Sequence, residues 1–240
     1  MLAAVARRSD GEAPTAVYIE SGAKRAFACA LEWPGWCRSG KNEAQALEAL
    51  AAAAPRYAVV AAAAGLPFPN SASNAFDVVE RLPGSAGTDF GVPGEIASQD
   101  TEPLTGQEAE RLAGLVAASW RVFDQVVGGA PAELRKGPRG GGRDRDAIVA
   151  HVLGAEAAYA RKLGIRLSPP PPEDLAAISA LRTAIVEALA APSNGAASVE
   201  RGWPQRYAAR RIAWHVLDHA WEIEDRIEPT AWPVQPAGSE

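Results

Sequence analysis

Cysteine is scarce in this chain. Only Cys29 and Cys37 occur among 240 residues, too few for a disulfide framework or for a metal centre closed by cysteines. Long apolar runs are missing too: none approaches the ~20 residues that a membrane-spanning helix needs. The opening residues Met1-Leu-Ala-Ala-Val-Ala-Arg-Arg8 lack the apolar core of a secretory signal. A cytoplasmic protein with no membrane partner is therefore expected. Basic charge is short as well, with 24 Lys and Arg against 29 Asp and Glu and a net charge of −5. A chain that coats nucleic acid would be basic, so nucleic acid is not an expected partner.

What is present reads as an α+β chain in two parts. After a small, polar stretch at 1–15, residues 17–20 and 26–33 are β-branched and aromatic on either side of Gly22, the pattern of a strand hairpin. Pro34-Gly35 ends the second strand. Asn42 can cap a helix that Pro55 kinks or breaks, a second helical piece runs over 56–64 to Gly65, and a third strand follows over 76–82. The expectation is a small ββαβ domain over 1–82. Residues 83–103, rich in Gly, Ser, Pro and Asp, read as a linker. A four-helix bundle is expected over 104–227 and a tail over 228–240.

The helices of the second part carry their own punctuation. Thr105-x-x-Glu108 is a capping-box pattern, and Gly128-Gly129 ends the run it opens. Asp144 can cap a second helix that stops at Gly164; a third covers 173–191 and a fourth runs from Trp203-Pro204 to about Arg226. The connection 164–172 is rich in proline. At ~3.1 Å per extended residue it covers roughly 28 Å, close to the ~30 Å length of the second helix. Helix three can then run parallel to helix two, giving an up-down-down-up order with helices two and four antiparallel.

Histidine occurs three times. His215 and His219 form His-x-x-x-His, which on a helix puts both imidazoles on one face a turn apart. His151 falls in the second helix at a matching level. Three neutral imidazoles on facing helices can hold one divalent ion and leave a coordination position open; zinc, nickel and iron all accept this donor set. Glu222 lies one turn beyond His219 and can orient an imidazole or act as a base, a catalytic role. Asp218 and Glu156 are weaker candidates for that work. Tyr159 and Trp214 are candidate substrate-pocket walls, with core packing as the alternative. Arg139, Arg143 and Arg145 stand in a Gly-rich basic stretch before the second helix, suited to holding the acidic end of a small molecule. A solvated loop is the alternative. Cys37 is either a reactive thiol or simply a small turn residue.

Two family resemblances attach to these motifs. The hairpin, Trp33-Pro-Gly-Trp-Cys37 and the helix opening at Asn42-Glu-Ala make residues 16–82 similar to the HicB-like antitoxin fold. The family's Pro-Gly-Cys turn is altered here, and no helix-turn-helix supplies its DNA-binding part. His151 with Glu156 and Tyr159, then the late His215-x-x-x-His219, make 104–227 resemble the DinB/YfiT-like metalloproteins. That resemblance implies a four-helix bundle with His151, His215 and His219 on one divalent metal. It also implies a metal-dependent transferase or isomerase using a low-molecular-weight thiol such as mycothiol. A small-molecule substrate and a homodimer are the expected partners. A metal-dependent hydrolase, or a non-catalytic protein whose HicB-like unit mediates interactions, are the alternatives.

Overall fold

The structure is a computed structural model of the 240-residue chain, described over residues 14–69, 75–137 and 141–227. The expected tail at 228–240 and most of the opening 1–15 stretch lie outside the described residues. The fold is mixed α+β: a four-stranded sheet in the order β3-β2-β1-β4 and seven helices among the described residues.

β1 (Thr15–Ser21) and β2 (Ala26–Ala30) form the expected antiparallel hairpin, closed by a Gly22 N–H to Arg25 carbonyl bond of 2.8 Å. A third strand was not legible. The turn through Trp33-Pro34-Gly35-Trp36 folds tightly enough for β3 (Cys37–Gly40) to return antiparallel along β2. Helix α1 (Glu43–Ala52) starts at Asn42, whose side chain accepts from the Gln45 N–H. Pro55 stands in the first turn of α2 (Ala54–Ala63), where its missing N–H costs nothing, and the two helices meet at a 51° bend. β4 (Phe76–Pro83) then lies parallel to β1. The expected ββαβ unit is thus corrected to βββααβ.

The sheet has a core on each face. Val17, Ile19, Ala28 and Ala30 face α1, α2 and an aromatic cluster of Trp36, Tyr57, Phe68 and Phe76. Trp36 donates to the Leu50 carbonyl at 2.9 Å and Tyr57 to that of Pro34 at 2.8 Å, so both buried polar tips are satisfied. Tyr18, Phe27, Cys29, Leu31 and Cys37 alternate onto the other face and pack on Ala97 and Trp214. Cys29 and Cys37 oppose each other on β2 and β3 with Cα atoms 4.1 Å apart, joined as a disulfide. That overturns the reading of Cys37 as a free turn thiol.

Residues 83–103 do not separate two units. They form a short helix α3 (Ala86–Phe90) and a 3-10 turn (Ser98–Thr101) laid against the second sheet face. Glu20 is fully buried there, accepting from the Thr88 hydroxyl and from the N–H groups of Gly94 (3.1 Å) and Glu95 (2.9 Å). Asp100 is buried against Arg210, which also donates to the Tyr18 hydroxyl at 2.8 Å. Buried carboxylates demand such partners, and the segment supplies or meets them. One hydrophobic core runs from the sheet into the C-terminal helices.

Those helices are α4 (Gly106–Gly129), α5 (Arg145–Lys162), α6 (Leu175–Ala190) and α7 (Gln205–Asp225). α4 and α5 each pack on both α6 and α7. The Thr105–Glu108 capping box forms as read, and Asp174 caps α6 through the Ala177 N–H at 2.9 Å. Asp144 makes no side-chain cap of α5; it accepts from the Leu134 N–H and the Lys136 ammonium instead. Among the described residues no single helix is long and apolar enough to cross a membrane.

Candidate metal centre

α7 carries the site because of its period. At about 100° per residue, Arg211, His215, His219, Glu222 and Arg226 share roughly 80° of arc, whereas Trp214 lies about 100° from His215. α5 packs beside that arc and contributes His151. The ring centroids are 5.1 Å apart for His151 and His215, 4.9 Å for His151 and His219, and 4.7 Å for His215 and His219. One nitrogen from each ring lies within 4.8 Å of the others. The Nε2 atoms of His151 and His215 are 3.2 Å apart. Two imidazole nitrogens at 2.0–2.1 Å from a tetrahedral ion would stand about 3.3 Å apart, so this pair has the spacing of shared ligands.

Burial and nearby positive charge disfavour protonation of two of the rings, His215 and His151. Burial first, then His219 and His151, with Arg211 and Arg143 beyond them, push the His215 pKa down to about 2. His151 is lowered by burial, His219 and Arg143. A neutral imidazole presents the lone pair that a metal ion takes. The Nδ1 of His215 is buried with no hydrogen-bond partner, so it is Nε2 of this ring that faces His151. On His219, Nδ1 meets Glu222 Oε2 at 2.8 Å. That contact fixes the ring and leaves Nε2 as its free nitrogen, the arrangement that orients metal-ligating histidines.

Glu222 is itself held. Arg226 Nη1 donates to its Oε1 at 2.8 Å, and the carboxyl sits below its ordinary range chiefly through the His219 hydrogen bond. Arg226 in turn donates from Nε to the Arg135 carbonyl at 2.8 Å, while the Arg135 N–H returns a bond to the Arg226 carbonyl at 2.9 Å. Gly142 closes over this guanidinium at φ +117, and a Cβ added there would fall 2.8 Å from Nη2. Part of the basic loop is therefore a latch on the end of α7.

The other expected residues divide. Tyr159 stands at the centre, its ring 5.6 Å from His215 and 5.1 Å from Trp203. Arg143 is exposed, with its charge felt at His151 and His215. Arg145 is engaged elsewhere, donating to Asp146 and to the Ala130 carbonyl at 2.8 Å each. Arg139 lies outside the described residues. Trp214, although its ring is 6.2 Å from His215, is buried against Phe27 and belongs to the contact between sheet and α7. Glu156 is buried on Arg182, and Asp218 accepts from Arg38 at 3.1 Å; neither touches the histidines. Arg211 and Arg226 were missed, although their spacing of four from His215 and from Glu222 was the signal. No known family model, curated protein or solved structure matches this chain.

Proposed function

We propose that His151, His215 and His219 hold one divalent ion, zinc, nickel or iron, and that the chain is a metal-dependent transferase or isomerase acting on a small molecule with a low-molecular-weight thiol. The observation that carries this reading is the convergence of three imidazoles from α5 and α7, one of them braced by Glu222. Both cysteines lie away from the histidines, in the sheet, so among the described residues the donor set has three members, the number that catalytic sites use. A bound divalent ion would supply the positive charge that lowers the pKa of a thiol or water near neutral pH.

The chain's own residues do the remaining work. Glu222 keeps His219 oriented and is the nearest carboxylate to serve as a base. Tyr159 and Trp203 form an aromatic wall beside His215 and limit water there. The side-by-side packing of α5 and α7 supports a DinB-like, up-down-down-up bundle within this proposal, and a homodimeric state belongs to the same reading. The alternative of a HicB-like interaction unit on a passive scaffold is less favoured, because the second sheet face is spent on α7. Metal analysis of purified wild-type, His151→Ala and His215→Ala protein tests the site. A thiol-conjugation assay with an electrophilic arene tests the activity. Metal retention without turnover on any thiol would leave a metal-dependent scaffold.

A further inference from the structure

Arginines along α7 are neutralised one by one, with a single exception among the described residues. Arg206 pairs with Glu108 at 3.1 Å, Arg210 with Asp100, and Arg226, at the C-cap, with Glu222 at 2.8 Å. Arg211 has no carboxylate. Its one hydrogen bond is a long 3.3 Å donation from Nη1 to the Pro93 carbonyl. Stacking holds it instead: the guanidinium carbon is 4.7 Å from the Trp214 ring centroid and 5.5 Å from that of Tyr159.

This half-buried, uncompensated cation sits one helical turn before His215, on the arc that carries the histidines. A desolvated charge without a counter-ion is costly. Nearby carboxylates do not relieve it, since Glu222 is shared by His219 and Arg226 and Asp218 by Arg38. The Arg211 guanidinium keeps N–H groups free, in the planar array that matches a carboxylate.

We infer that Arg211 binds the carboxylate of the small molecule that reaches the three-histidine centre. The inference rests on the metal reading proposed above. Residues four apart on a helix have Cβ atoms about 5–6 Å apart, so a small molecule with a carboxylate at one end and a metal-binding donor at the other suits Arg211 and the histidines together. The ligand class is a small carboxylic acid bearing a thiol or similar donor at the far end of a short chain.

A cobalt-loaded protein tests this through the ion's visible absorption, titrated in parallel with 4-mercaptobutyrate and 4-mercaptobutan-1-ol. The two probes differ in charge, and their spacer is too long for a favourable chelate ring on the ion. The acid is expected to bind about ten- to a hundredfold more tightly, the range of a charge-assisted hydrogen-bonded pair. Arg211→Gln should bring the ratio to within about threefold and should retain cobalt. If the glutamine chain misfolds, Arg211→Met keeps an unbranched stem over the rings and answers the same question. Wild-type protein that retains cobalt but binds both probes equally overturns the inference and leaves the metal site standing. A preference undiminished by loss of Arg211 overturns it too. Failure of the wild type to hold cobalt overturns the metal reading and this inference together.

Discussion

α7 has one closed face and one open face, and the two treat polar groups differently. On the closed side, Ala213, Trp214, Leu217 and Trp221 pack on the N-terminal sheet and its turn. Gly35 approaches so closely, at φ +91, that a Cβ there would lie 2.7 Å from Leu217 Cδ1 and 3.0 Å from the Ala213 backbone. Every charged group on this side has a partner: Arg210 with Asp100, Asp218 with Arg38, Glu224 and Asp225 with Arg56. Arg38 also lies 4.1 Å over the Trp221 ring. On the open side, the Arg211 charge is left without one. A charge with no internal partner is where a ligand can complete the set. The closed face also explains the N-terminal part of the chain, which sets the helix that carries two of the three histidines.

Four perturbations break or sharpen this contrast. Asp100→Ala strikes the closed face hardest, because it strands a buried guanidinium. A loss of about 3–5 kcal/mol is expected in chemical denaturation, and a change under 1 kcal/mol would mean that Arg210 is not confined as described. Gly35→Ala should cost about 1–3 kcal/mol, from the left-handed backbone and the collision with α7. Its diagnostic is that the loss appears with and without metal. Glu222→Gln acts on the open face alone: metal affinity should fall about 10–100-fold while metal-free stability holds, which a competition titration with a chromophoric chelator reads.

The smallest effect is one of pH. His215 has a folded pKa of about 2, below the 6.5 of an unperturbed histidine. Below pH 6.5 the unfolded chain binds a proton that the fold refuses, so the metal-free protein loses stability as pH falls from about 6.5 and gains nothing above it. Between pH 6.5 and 5 the loss is about 2 kcal/mol at most. His215→Ala should flatten that slope, and parallel melting curves for the two proteins check it.

Much of the open face was legible because its logic is local. The i, i+4 histidine pair and Glu222 one turn on depend only on helical period and neighbouring residue types. Helical period also separates Trp214 from His215 by about 100°, a signal that the reading of Trp214 as a pocket wall left unused. The closed face was not legible. Glu20 is satisfied by backbone N–H groups of Gly94 and Glu95 and by Thr88, all about 70 residues away in sequence. Backbone donors leave no mark in residue type, so the Gly- and Pro-rich 83–103 stretch looks like any linker. β3 was hidden for a similar reason: four residues ending at Gly40 carry too little alternation to announce a strand.

The account stands or falls on the three histidines acting as one ligand set. The direct measurement is metal content per chain by elemental analysis, after dialysis, for wild-type protein and the His151→Ala, His215→Ala and His219→Ala variants. One divalent ion per wild-type chain, lost from each variant while its helical circular dichroism is unchanged, is the predicted result. Variants that keep a full complement of metal, or a wild type that binds none at neutral pH, would contradict it.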